Sequence, residues 1–168
     1  RRVAALFVDL DGFKAINDQL GHDHGDELLI QVAGRLTECL RDGDTVARLG
    51  GDEFVIVLSG PEPEENAARI AARALDLLAE PFRVGTETVH VGASIGIALG
   101  DGDSRPEALL READAAMYLA KDRGRFRYEF PAAGMAGAGT PVGVASVRAL
   151  RAEPTPQMLD QPPSTTSV

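Results

Sequence analysis

The chain holds 168 residues with a formal net charge of −9. That length suits one domain with a sizeable core and leaves little room for a second, and 5% aromatic residues with no Trp require an aliphatic core of Leu, Val, Ile and Ala. The acidic balance disfavours nonspecific binding to DNA, RNA or an anionic membrane surface, which all need basic patches, but leaves open a phosphate-bearing small molecule held through a divalent metal.

Val3 to Leu10, "VAALFVDL", is a short apolar run ending in two acids, Asp9 and Asp11, and a turn-prone "DLDG" follows; it predicts a central strand. Phe13 to Leu20 can form a short helix, broken by Gly21. In the next segment Leu28, Leu29, Val32, Leu36 and Leu40 recur at helical spacing, until "RDGD" turns the chain. Thr45 to Leu49 and Glu53 to Leu58 read as two strands of a hairpin joined across Gly50-Gly51.

Pro63 to Glu80 predicts a helix with an apolar stripe of Ala67, Ile70, Ala71, Ala74, Leu75 and Leu78 and with acids in its first turn. A hairpin around Gly85 and a strand over Ala93 to Leu99 come next. "SRPEALLREADAAMYLAKDRG" then reads as a helix, with Ser104 and Glu107 as a capping box, Pro106 in the first turn and Gly124 at the end. "FRYEF" gives a last short strand.

From Pro131 the composition changes. Residues 131–168 hold no aromatic residue and six of the ten prolines, so they read as a flexible Pro/Gly/Ala-rich tail, with a short helix around Val147 to Ala152. Residues 1–130 form the expected domain. Its order, β-α-α-β-β-α-β-β-α-β, points to an α/β (α+β) sandwich of palm or ferredoxin-like kind, a mainly antiparallel sheet flanked by helices.

A single cysteine, Cys39, forbids an intrachain disulfide and fits a reducing cytoplasm. No apolar run nears the ~20 residues of a membrane span, and no signal peptide is visible. The chain opens on a strand without an initiator Met and reads as a fragment of something longer.

The chemistry concentrates in carboxylates. If the strand ending at Asp9 and Asp11 neighbours the one opening at Asp52 and Glu53, four acids converge at one sheet edge. Such a gathering is costly unless a cation offsets the repulsion, and Mg²⁺ with one or two carboxylates plus substrate phosphates is a common solution. Gly50 and Gly51 let a ligand approach the backbone. The plainer alternative is an ordinary turn at Asp11-Gly12 and a polar hairpin tip, although ordinary tips rarely place acids at the start of a strand as apolar as "FVIVL". "HDHGD", His22 to Asp26, has the spacing of a transition-metal site or, more simply, of a helix cap by His22 or Asp23. Lys121 and Arg125 complement a helix dipole, or clamp phosphate if that helix end lies near the acids.

"GGDEF", Gly50 to Phe54, is similar to the signature of the GGDEF domain family, the diguanylate cyclases. "FVDLDGFKAINDQLGHDHGDELL" resembles the family's first-strand Asp, FKxxND and HxxGD segments, "KDRGR" its KxxGR, and "RDGD" its RxxD inhibitory site. The resemblance covers about Val3 to Phe130. It implies that Asp9, the Leu10 carbonyl and Asp52 bind metal, two Mg²⁺ per site with Mn²⁺ as a substitute. Asp52 would also assist deprotonation of the attacking hydroxyl, and Glu53 would support the same site. Asn17, His22 and Asp26 would line the nucleotide pocket, Asn17 and Asp26 reading guanine. The backbone N–H groups of Gly12, Phe13 and Lys14 would face the phosphates, Gly50 and Gly51 would give the surface on which GTP lies, and Lys121 and Arg125 would neutralise the β/γ-phosphates. Arg41 and Asp44 would bind the product, c-di-GMP, and inhibit.

The implied activity is condensation of two GTP into c-di-GMP with release of pyrophosphate, by a cytoplasmic homodimer in bacterial second-messenger signalling. One alternative is a non-catalytic module that binds GTP or c-di-GMP and regulates a partner; retention of the signature acids and cations argues against it. Another is a different palm-type nucleotidyl enzyme, against which Arg41, Asp44 and the guanine-reading residues argue. The family's upstream helix and LTGLxNR segment do not precede Arg1 here, and Phe126 stands where the family often has Asn.

Overall fold

The computed structural model describes residues 2–60, 63–132, 148 and 149. Its elements are β1 (Val3–Asp11), α1 (Phe13–Leu20), α2 (His22–Glu38), β2 (Thr45–Gly50), β3 (Glu53–Ser59), α3 (Pro63–Ala79), β4 (Phe82–Val84), β5 (Glu87–Val89), β6 (Gly92–Gly100), α4 (Pro106–Asp122), β7 (Arg127–Glu129) and β8 (Arg148–Ala149). Six strands form one sheet in the order β7-β6-β1-β3-β2-β8, and β4-β5 form a separate hairpin. All pairings are antiparallel except β6 with β7. The expected α/β sandwich with a mainly antiparallel sheet is the fold observed.

β1 lies in the middle of the sheet because it is apolar on both faces and needs cover on both. Leu6, Val8 and Leu10 join Phe54, Ile56 and Leu58 of β3 and Ile95 and Ile97 of β6 in a core closed by α2 and α3. Full burial of such side chains contributes about 1.5–3 kcal/mol each. On the opposite face Ala5 and Phe7 pack with Val55, Ala98, Ala113 and Met117 beneath α4. Side chains alternate along a strand, so Asp9 and Asp11 fall on this α4 face.

α4 reaches the sheet through Gly96. A Cβ there would collide with the Ala113 carbonyl and the Met117 N–H, so only glycine permits this approach. The close contact brings the C-terminal half of α4 over the acidic end of β1.

Two local expectations are corrected. Ser104 and Glu107 form no capping box: the N-cap is Arg105, without a side-chain cap. Pro106 at the first helical position holds Arg105 extended, at φ −72° and ψ 127°, which leaves Ser104 outside the helix. Its hydroxyl donates instead to Asp101 Oδ1 at 2.9 Å. The helix expected over Val147 to Ala152 gives way, at the two positions described, to a strand: Ala47 and Arg48 pair with Ala149 and Arg148 along the outer edge of β2. An edge strand offers unpaired backbone groups to such a segment. The other tail positions from 133 onward lie outside the described residues. Among the described residues no helix is long and apolar enough to cross a membrane.

Candidate active site

The antiparallel register of β1 and β3 sets Asp9 directly opposite Glu53. The Leu10 N–H donates to the Asp52 carbonyl at 3.1 Å, tying the end of β1 to the hairpin tip. That tip turns at Gly50 and Gly51, with φ of 153° and 50°. Arg48 Nε donates to the Gly51 carbonyl at 2.9 Å and braces the turn. Asp9, Asp52 and Glu53 therefore meet at one sheet edge because strand register and a two-glycine turn place them there.

Asp9 is 7% exposed. Burial pushes its carboxyl above the ordinary Asp range, with Asp52 and Asp11 adding repulsion, and the Lys121 ammonium, donating to Asp9 Oδ1 at 2.9 Å, only partly offsets this. Burial also raises Glu53, helped by the charges of Asp9, Asp114 and Asp52. For Lys121 burial works downward, but the bond to Asp9 and the surrounding carboxylates reverse it and hold the ammonium above its ordinary value. The end of α4 thus does lie at the carboxylates, the condition on which the phosphate-clamp reading of Lys121 and Arg125 depends.

Asp11 takes a different part from the one expected. Both its oxygens accept from the Ser94 hydroxyl, at 2.9 and 3.0 Å, and Oδ2 also accepts from the Phe126 N–H at 3.2 Å. Arg125 Nε lies 3.7 Å from its Oδ1. Arg125 and Phe126 both adopt left-handed backbone, at φ 63° and 51°, which costs about 1 kcal/mol or more for each non-glycine residue. Phe126 does not pack into the core: it is 66% exposed, with its ring over Gly92, where a Cβ would overlap it.

The donor set suits a hard divalent cation: carboxylate oxygens, one of them buried under like-charge repulsion that a cation would relieve. Among the described residues no three His, Cys, Asp or Glu side chains gather closely enough to cage a metal. A metal here would take the Asp9 and Asp52 carboxylates, with the Leu10 carbonyl, and draw the rest of its shell from oxygens outside the protein, which is the habit of Mg²⁺. Among the described residues the "HDHGD" side chains likewise form no such group. Neither His22 nor Asp23 caps α2, whose N-cap is Gly21 without a side-chain bond.

Gly12, at φ 83°, opens α1 without a side-chain cap, so the first N–H groups of that helix lack intrahelical acceptors and suit an anion. One turn on, Asn17 Nδ2 lies 2.9 Å from His22 Nδ1. Gly25 packs against the Asn17 amide with no room for a Cβ. Asp26 is exposed and stands four residues past His22 on α2, the same helical face.

Arg41 and Asp44 sit elsewhere, before Thr45, at the end of β2 away from Gly50. The Arg41 guanidinium lies 3.7 Å from Asp44 Oδ2 and donates to the Ser59 carbonyl at 2.9 Å. Asp44 Oδ1 is buried and has no partner among the described residues.

Asp114 is the residue that motif reasoning passed over. It is 7% exposed on α4, and burial, with repulsion from Asp9, raises its carboxyl against the pull of Lys121. An acid seven residues before Lys121, inside the apolar stripe of Ala113, Met117 and Ala120, was the available signal. A cavity of about 540 Å³ lies at the opposite end of β1 and β6, beside Arg2, Glu64, Leu99 and Asp101, and includes none of these groups.

A family described as "Diguanylate cyclase, GGDEF domain" matches residues 1–127. The chain is 52% identical over 132 residues to the bifunctional diguanylate cyclase/cyclic di-GMP phosphodiesterase MucR of Pseudomonas aeruginosa, covering 77% of this chain and 19% of that protein. It is 41% identical over 128 residues to the cyclic di-GMP phosphodiesterase PdeR of Escherichia coli, covering 76% and 19%. The chain thus spans about a fifth of the length of these relatives. Among solved structures, the GGDEF domain of PA1120 (YfiN or TpbB) from P. aeruginosa superposes with a TM-score of 0.74 at 42% identity, over 78% of this chain and 83% of that one.

Proposed function

The chain belongs to the GGDEF domain family, and from that premise we propose that it is the cyclase module that joins two GTP molecules into c-di-GMP with release of two pyrophosphates. The observation that carries this reading is the meeting of Asp9, Asp52 and Glu53 with Lys121 at one sheet edge: acids for a metal and a cation for phosphate converge on one spot.

Asp9 and Asp52 would hold Mg²⁺, or Mn²⁺ in its place, with the Leu10 carbonyl and two ions per site. The metal, when bound, supplies neutralisation of the α-phosphate and a lowered pKa for the ribose 3′-hydroxyl. Asp52 would assist removal of that hydroxyl's proton, with Glu53 supporting it from the same turn. The N–H groups of Gly12, Phe13 and Lys14 face the phosphates at the start of α1, while Lys121 and Arg125 neutralise the charge that gathers on the leaving pyrophosphate. Gly50 and Gly51 present bare backbone to the nucleotide. Asn17 and Asp26 read guanine, one as an amide and one as an acceptor, and His22 orients Asn17.

The 3′-oxygen attacks the α-phosphorus, the bond to the β-phosphate breaks, and pyrophosphate leaves. Positioning and charge neutralisation supply most of the rate. A symmetric cyclic product needs two such reactions face to face, so one domain is half a site and a homodimer with two-fold symmetry completes it. GTP as substrate places the domain in the cytoplasm. Arg41 and Asp44 form the product site, and the unpartnered Asp44 Oδ1 supports a ligand there.

A second reading is a module that binds GTP or c-di-GMP without turnover and regulates an attached domain; a relative whose name carries only phosphodiesterase activity favours it. Full-length protein incubated with labelled GTP and Mg²⁺, with products resolved by chromatography, separates the two. The cyclase reading expects c-di-GMP, lost in Asp52→Ala with the fold retained. GTP binding without turnover, or cyclic GMP as the product, would overturn it.

A further inference from the structure

Asp11 is almost fully buried, and apart from the Ser94 hydroxyl its polar partners belong to one feature. Ser94 fixes the carboxylate from β6, leaving it to receive the Phe126 N–H at 3.2 Å and to stand 3.7 Å from Arg125 Nε. Gly92, paired with Asp11 across the sheet, clears the space over which the Phe126 ring lies. The two neighbours across this strand pair therefore form a socket for one turn, residues 124–126, two of whose members hold left-handed backbone without being glycine. Such a conformation persists only where its surroundings dictate it. Arg125 meets Asp11 through Nε, and its side chain is 55% exposed, which leaves it accessible to a ligand.

We propose that Asp11 is a positioning residue: it seats the 124–126 turn and so presets the Arg125 guanidinium for a nucleotide polyphosphate. This rests on the reading of Lys121 and Arg125 as the phosphate clamp. It separates Asp11 from Asp9, two residues away on the same face of the same strand: Asp9 would hold the metal, and Asp11 faces the turn. Pre-setting removes the ordering cost from the binding step, so its loss weakens affinity for the nucleotide and leaves the chemical step largely alone.

The test is a double-mutant cycle on the full-length protein, read as affinity for a non-hydrolysable GTP analogue with Mg²⁺. Asp11→Ala and Arg125→Ala should each weaken binding about tenfold, and the double variant should bind no more weakly than Arg125→Ala alone, because both remove one effect. If the alanine variant melts early, Asp11→Asn, which keeps the acceptor for Phe126 but loses the charge, should weaken binding about threefold and be equally silent in the Arg125→Ala background. In turnover, Asp11→Ala should raise KM for GTP with kcat within about twofold of the parent. Additive losses of affinity, unchanged affinity, or a loss confined to kcat would overturn the proposal. Wild-type protein that binds the analogue but does not turn GTP over would refute the cyclase reading alone, since the cycle on affinity still decides Asp11.

Discussion

Lys121 Nζ rests 2.9 Å from Asp9 Oδ1, so this buried acid has its cation even with no metal bound. The ammonium stands where a divalent ion would relieve the same charge. Replacing it leaves a buried carboxylate without a partner. Lys121→Met should therefore cost about 2 kcal/mol of stability in chelator, and Mg²⁺ should recover part of that loss by taking the ammonium's place. Thermal melts with EDTA and with Mg²⁺ check both halves. Turnover should fall about 100-fold at saturating Mg²⁺, since a charge-stabilising donor is gone.

The three raised carboxyls predict how stability varies with pH in chelator. Asp9, Glu53 and Asp114 each have a folded pKa above the unfolded one, chiefly through burial. Such a group supports the fold fully below its ordinary value, 3.8 for Asp and 4.5 for Glu, and that support is lost as pH rises through the raised folded value. The unfolding midpoint should thus fall as pH rises above the ordinary carboxylate range, and Asp114→Asn should flatten the slope and raise the midpoint at neutral pH. Asp101, held low chiefly by the Ser104 hydroxyl, works in the opposite sense but only below 3.8. Melts across a buffer series with EDTA measure the slope; a midpoint that climbs toward pH 7 would contradict it.

Gly25 gives a way to disturb the Asn17 amide, proposed to read guanine, without touching it. A Cβ at this helical position would meet the Asn17 side chain, so Gly25→Ala should push the amide aside. The gain in helix propensity, about 1 kcal/mol, roughly cancels the crowding, and the melting point should hardly move. Nucleotide affinity should fall about tenfold, the worth of a good hydrogen bond, and the preference for GTP over ATP should shrink. Competition titrations with the two nucleotides read the effect.

Arg41 carries the prediction for product control. Its guanidinium is spread between Asp44 and the Ser59 carbonyl, within reach of an anion arriving at the turn. Arg41→Ala should weaken inhibition by c-di-GMP at least tenfold, as expected for loss of a charge-assisted bond. Progress curves with added product measure it, and undiminished inhibition would remove Arg41 from the product site.

Much of this site is legible in the sequence because the signals are local. An apolar strand that ends in acids, and a two-glycine turn followed by acids, each locate themselves. Once β1 and β3 pair, Asp9 must face Glu53. Other parts depend on contacts that no periodicity reports. The partners of Asp11 lie 83 and 115 residues away, so its task is invisible until β6 and the end of α4 are placed. Asp114 hides among alanines on a helix whose apolar stripe alone explains its burial. The Ser104 cap fails for a local reason, because Pro106 fixes where the helix begins and leaves the serine one residue too early. At Arg148 and Ala149 an open sheet edge decides the conformation, and that edge belongs to β2.

The Asp9–Lys121 pair joins positions 112 residues apart, and this has a consequence for how the protein is made. At roughly 5–20 residues per second of synthesis, Lys121 follows Asp9 out of the ribosome after on the order of ten seconds. Until then β1 lacks α4 and the site lacks its ammonium. On the cyclase reading a nascent chain therefore cannot take up nucleotide productively, and a truncation that ends before Lys121 should bind none. Turnover, on that reading, waits until translation of the domain is essentially finished, a delay that the order of elements along the chain imposes without any inhibitor.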